Sequence, residues 1–126
     1  MRIFWISLII IIILIASSIF YSNLLEQKFN KIVLKIEDIM EKIYVEDWET
    51  AMIDIKDIRK DWEGMSDFWS VFIEHKELDN IQVSILKAEA YIAMSDELLT
   101  KAELSSLKFL VENIYLGEKL KLGNIF

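Results

Sequence analysis

The residues with side chains suited to catalysis or metal binding are few. His75, in Glu74-His75-Lys76-Glu77, is the one histidine, and cysteine is absent. The usual zinc sites take several His or Cys ligands, so a single histidine cannot build one. A general base needs a partner within reach, and no motif supplies one to His75. It reads as a surface histidine. Asp54, Asp57 and Asp61 stand at i, i+3 and i+7, on one helix face. Joined by glutamates from a neighbour, such a row would ligate a divalent cation. Lys56, Arg59 and Lys60 are interleaved with it, which favours a solvated face instead. The sequence has no calcium-loop pattern, no Glu-x-x-His pair, no glycine-rich phosphate loop and no nucleophile elbow. Neither catalysis nor a metal or cofactor is expected.

The aromatic residues are the denser signal. Trp48, Trp62, Phe68, Trp69 and Phe72 fall within a stretch of 25 residues. Core packing is the ordinary use of such residues. A partner surface is the sharper one, because tryptophan is enriched at interface hot spots. The candidate partner-binding residues are Trp62, Phe68, Trp69, Phe72 and His75.

Charge narrows the partner class. The chain carries a net charge of −7, and residues 46–79 hold eleven acids against four bases. Nucleic-acid phosphates need Lys and Arg, so an acidic domain is a poor match. It is equally ill suited to lie along anionic lipid headgroups.

The elements that must position these residues begin with an apolar run. Ile3 to Tyr21 is nineteen residues without a charge, and every charged residue except Arg2 follows position 25. At about 1.5 Å per residue the run nearly crosses a ~30 Å hydrocarbon core. Phe4 and Trp5 at one end, with Phe20 and Tyr21 at the other, resemble the aromatic belts of a spanning helix. The run exceeds the usual h-region of a cleaved signal peptide, and Ala16-Ser17-Ser18 is a poor cleavage site. The expected organisation is a transmembrane anchor over 1–23 and a helical domain over 24–126. Lys28, Lys31 and Lys35 follow the span, which counted alone would keep the domain in the cytoplasm. A short leading segment with one basic residue behaves instead as a signal anchor, so the domain is expected outside the cytoplasm in a single-pass cell-membrane protein.

With no proline and three glycines, the rest reads as a few long helices. Leu25, Phe29, Ile32, Ile36, Ile39 and Ile43 continue the membrane helix into a rod of roughly 60 Å. A second helix is expected from Trp48 to Glu63, capped by Asp47 and ended by Gly64, with Trp48, Ala51, Met52, Ile55, Ile58 and Trp62 inward. A third is expected from Asp67, with Ser66 as its cap, either running to Met94 or breaking near Asp79-Asn80. The fourth follows Ser95, carries Leu99, Ala102, Leu107, Leu110 and Ile114, and ends at Gly117. Ile36, Ile39, Ile43 and Asp47 match Ile85, Ala88, Ile92 and Asp96 at an offset of 49, and Ala51 matches Ala102 at 51. This suggests a repeated hairpin. The fold class is all-α: an antiparallel bundle or two stacked hairpins. Heptad spacing leaves a coiled-coil homo-oligomer as a further possibility, although each run is short for one.

The stretch Trp69 to Asp79, followed by Ile81, resembles the signature of a bacterial family known as domain of unknown function four-three-six-three. Trp48, Trp62, the N-terminal span and the C-terminal Asn124-Ile125-Phe126 are similar as well, so the resemblance covers nearly the whole chain. It implies a small protein with one N-terminal span and no activity to carry over.

The function expected is therefore a membrane-anchored helical module that contacts lipid through residues 3–21 and binds another membrane or envelope protein. The alternatives are an extracytoplasmic ligand-binding or sensor domain, and a cation-binding acidic helical domain.

Overall fold

The computed structural model describes residues 1–125. Phe126 of the C-terminal Asn124-Ile125-Phe126 lies outside the described residues. Among these there are four helices and no strand: α1 (Arg2–Tyr44), α2 (Trp48–Trp69), α3 (His75–Ala93) and α4 (Glu97–Ile125). They run up and down as an antiparallel bundle. Each packs on the two next to it around a ring, α1 on α2 and α4, α3 on α2 and α4.

Helix α1 is unbroken for 43 residues, roughly 65 Å. Its buried residues are Leu25, Phe29, Ile32, Ile36, Ile39 and Ile43, the stripe that alternating three- and four-residue steps predict. Ahead of Tyr21 the helix leaves the bundle. Its large apolar side chains from Ile3 to Phe20 stand 37–80% exposed. It is the one helix, among the described residues, long and apolar enough to cross a membrane, a property that a signal sequence shares.

Three boundaries differ from those read off the sequence. Helix α2 does not stop at Gly64 but continues to Trp69. Glycine costs a helix interior only about 1 kcal/mol, and the burial of Trp69 (1% exposed) outweighs that. Ser66 and Asp67 therefore belong to α2, and Ser66 donates its hydroxyl back to the Glu63 carbonyl at 3.2 Å rather than capping a new helix. The chain turns instead at residues 70–74, where Phe72 and Ile73 both donate their N–H groups to the Trp69 carbonyl. Helix α3 then starts at His75 and passes through Asp79-Asn80 without a break. Helix α4 likewise runs through Gly117.

The fourth helix also faces the core differently from expectation. Leu99 is 42% exposed and Ala102 is exposed. The buried line is Thr100, Leu104, Leu107, Val111, Ile114 and Glu118. Reading only apolar residues hides this register, because its first and last members are polar.

With Thr100 in place, the internal repeat becomes regular at one offset. At 49 residues Phe29, Ile32, Ile36, Ile39 and Ile43 correspond to Leu78, Ile81, Ile85, Ala88 and Ile92. Ala51, Ile55, Ile58 and Trp62 correspond to Thr100, Leu104, Leu107 and Val111, and every one of these eighteen residues is buried. The turns match as well. Asp47 donates its N–H to Lys42 and Glu46 to Ile43, as Asp96 does to Tyr91 and Ser95 to Ile92. This pair of bonds is a Schellman ending. In each turn the last residue is also the next helix's N-cap: Asp47 accepts from the Thr50 N–H at 3.3 Å and Asp96 from Leu99 at 3.0 Å. The bundle is thus two like hairpins, α1–α2 and α3–α4, laid face to face.

Glu46 (φ 62°) and Ser95 (φ 52°) hold the left-handed position of these turns, where a Cβ costs roughly 1–2 kcal/mol. Part of that gain is offset by the freedom glycine adds to the unfolded chain, so Glu46→Gly and Ser95→Gly should each raise stability by about 0.5–1 kcal/mol. Urea melts of the full chain in detergent measure this, and a lowered midpoint in both variants would contradict it.

Candidate interaction surface

The antiparallel course puts the two Schellman turns at one end of the bundle, far from the projecting segment. The α2–α3 turn, Tyr21 and the last turns of α4 lie at the other, where α1 enters. At this near end an aromatic stack joins α1, α2 and the α2–α3 turn. The Tyr21 ring centre is 4.7 Å from Phe72 and 6.0 Å from Trp69. Phe29 stands edge-on to Trp62 and Trp69 at 6.0 and 5.4 Å, and Phe68 edge-on to Trp69 at 5.0 Å. Such tilted and edge-to-face pairs are the favoured geometry of aromatic rings.

The five candidate residues divide within this stack. Trp62 and Trp69 are each 1% exposed and belong to the core, so neither presents a face to a partner in the folded bundle. Phe68 and Phe72 are 49% and 47% exposed, and Val71 between them is exposed too. His75 is the exposed first residue of α3. It borders a polar groove of about 280 Å³ together with Glu63, Asp67, Asp79 and Gln82. Trp48 is half-buried against the far end of the core.

The acidic row is used within the fold. Lys42 bridges Asp38 of its own helix and Asp54 of α2, and these two carboxylates, Asp54 first, hold its ammonium above the usual lysine range. Lys35 meets Asp61 at 2.6 Å. Arg59 donates twice to Glu89 on α3, at 3.0 and 2.8 Å, and Lys108 of α4 meets Glu37 of α1 at 3.0 Å. Arg59 and Lys108 are partners under the 49-residue repeat, so each inter-hairpin seam has its own cation. Asp57 is left exposed. Among the described residues no three acidic or histidine side chains converge as a metal site.

Two features escape the sequence reading. One is Glu118, 7% exposed beneath Tyr21, which donates its hydroxyl to the carboxylate at 3.4 Å; Lys121 lies 3.3 Å away. Glu118 stands where the repeat places Trp69, a substitution that no hydropathy pattern signals. The other is the far end, where Tyr44, Val45, Met94 and Leu98 are 62–79% exposed around the Schellman turns. Their signal was available: they sit off the buried stripes, beside the two Asp caps. The Lys101 ammonium lies 5.8 Å from the Tyr44 ring centre, which ties the ends of α1 and α4 together there.

Compared with known proteins, residues 19–125 match a family profile described as Domain of unknown function (DUF4363). No curated protein and no solved structure matches the chain.

Proposed function

We propose that this chain, which belongs to the DUF4363 family, is a membrane-anchored helical module that binds another membrane or envelope protein. In this reading the apolar half of α1 spans the cell membrane once and the bundle lies outside the cytoplasm. The observation that carries it is the projection of an uncharged, predominantly apolar and unburied helical segment, without a break, from a bundle that packs its own core without it. Such a segment costs too much exposed area in water to be left there. The far end, with Tyr44, Val45, Met94 and Leu98 uncovered, supplies an apolar surface of the kind partners cover. Phe68, Phe72 and His75, exposed at the near end, are the other side chains open to a partner in this reading. No catalytic role is proposed.

Photocrosslinking in intact membranes tests the partner role. A crosslinker at Leu98 should give a discrete adduct with one protein, identified by mass spectrometry, while one at Lys87 on the bundle's flank should not. Absence of any adduct from Leu98, Phe68 and His75 would sink the reading. Sidedness is tested separately: in this cysteine-free chain, Lys60→Cys should react with an impermeant maleimide in intact cells. Reaction only after lysis would place the bundle in the cytoplasm.

A further inference from the structure

We propose that the α2–α3 turn is itself a membrane-seating device, with Val71 and Phe72 resting in the interface of zwitterionic lipid beside the span. The inference rests on the membrane reading above and goes beyond it. The geometry is a matter of level. Helix α1 is continuous, so Tyr21 marks the depth at which the apolar run ends. Phe72 stacks on Tyr21 at 4.7 Å, which fixes the turn at that same depth rather than above it. The exposed apolar surface of Phe20 (69%), Phe68 (49%), Val71 (76%) and Phe72 (47%) is therefore continuous with the lipid-facing surface of the span.

Aromatic rings at this depth match the belts of spanning helices, where an apolar body meets lipid and its edge meets water. A turn at residues 70–74 with no proline or glycine is otherwise an odd place for two uncovered large apolar side chains. Asp67 and Glu74 flank the patch and are exposed, which disfavours anionic headgroups. Lys28 shares an apolar groove with Leu24, Met65 and Phe68, and its stem can lie along that surface while the ammonium meets a lipid phosphate. The bundle would then stand on the bilayer by two supports, the span and the turn. The far end stays free for a protein.

The test uses the full chain in phosphatidylcholine vesicles, with single cysteines carrying an environment-sensitive nitrobenzoxadiazole label. At Val71 the emission should shift to the blue and be lost to lipids with a nitroxide near the headgroup. At Val45 it should remain that of water and be quenched by soluble iodide. At Ile9 it should be lost to lipids with a deep nitroxide. With the label moved to Ser70, Val71→Asp should return its emission to that of water, while far-UV circular dichroism reports an intact bundle. An Ile9 label that escapes the deep quencher would overturn the membrane reading, and the seat with it. An embedded Ile9 with an aqueous Val71 label would overturn the seat alone. Lipid quenching at Val45 as strong as at Val71 would also overturn it, since the bundle would then lie flat.

Discussion

Replacing Trp69 by alanine is expected to destabilise the bundle by about 3–5 kcal/mol, the range for large-to-small aromatic changes in a core. Trp69 is 1% exposed and in ring contact with Tyr21, Phe29 and Phe68. It joins α1 to the last turn of α2, and its carbonyl accepts from the N–H groups of Phe72 and Ile73 in the α2–α3 turn. Among the described residues its Nε1–H is buried without a hydrogen-bond partner, and an unpaired buried donor costs roughly 1–3 kcal/mol. Trp69→Phe removes that donor while keeping an aromatic ring, so its cost should be about 1.5 kcal/mol or less. Denaturant melts of the full chain in detergent, followed by far-UV circular dichroism, give both numbers. A Trp69→Phe loss equal to that of Trp69→Ala would show that indole volume alone matters. For the same reason Trp69→Ala is a poor probe of docking: it tests the frame, and Leu98 tests the surface.

Charging the projecting segment should have the opposite profile, a large effect on membrane integration and none on the bundle. Ile10 and Ile13 are 51% and 57% exposed and lie well before Tyr21, the first apolar side chain packed on the core among the described residues. An aspartate near the middle of a span costs roughly 2.5–3.5 kcal/mol on the insertion scale, so Ile10→Asp with Ile13→Asp should forfeit about 5–7 kcal/mol. The doubly substituted chain is expected in the carbonate-extractable fraction, with the wild-type chain in the pellet. Its helicity and denaturant midpoint should be unchanged. Retention in the pellet would mean that α1 does not hold the chain in the bilayer.

How much of this was legible in the sequence depends on what each residue signals. The core face of α1 was fully so, because Leu25 to Ile43 form a stripe of large apolar residues with nothing to compete. Asp47 announced its cap by residue type, whereas the cap at Asp96 shows in the structure, at the matching place in the repeat. The α2–α3 turn was not legible where glycine suggested it. Gly64 has open space around it and no positive φ, so it is a tolerated helix residue, whereas the real turn is set by tertiary burial of Trp69 and Ile73. Thr100 and Glu118 hid the register of α4 because a buried hydroxyl and a buried carboxylate look like surface residues in a hydropathy pattern. Thr100 also hid the repeat, whose offset drifts to 51 if Ala102 is taken as the counterpart of Ala51.

Among the candidate residues, the tryptophans signalled size, and size is used inside: Trp62 and Trp69 fill the core at the near end. Exposure of Phe68 and Phe72 follows from the turn's position and could not be read from spacing. The far apolar end is legible only once both turns are placed, because Tyr44, Val45, Met94 and Leu98 lie off the buried stripes and beside the two Asp caps.

The unbroken course of α1 has one mechanical consequence. With no hinge between the projecting segment and the bundle, the segment sets both the height and the heading of everything attached to it. From Tyr21 to Tyr44 the helix climbs about 35 Å, so any protein that meets the far end must reach a plane at that standoff. One residue inserted in the helix near Ser22 would turn the bundle by about 100° and lift it by 1.5 Å. Binding to a laterally fixed neighbour would then follow helical phase, lost at one or two inserted residues and largely regained near four, where the bundle is turned by only about 40° but lifted by about 6 Å.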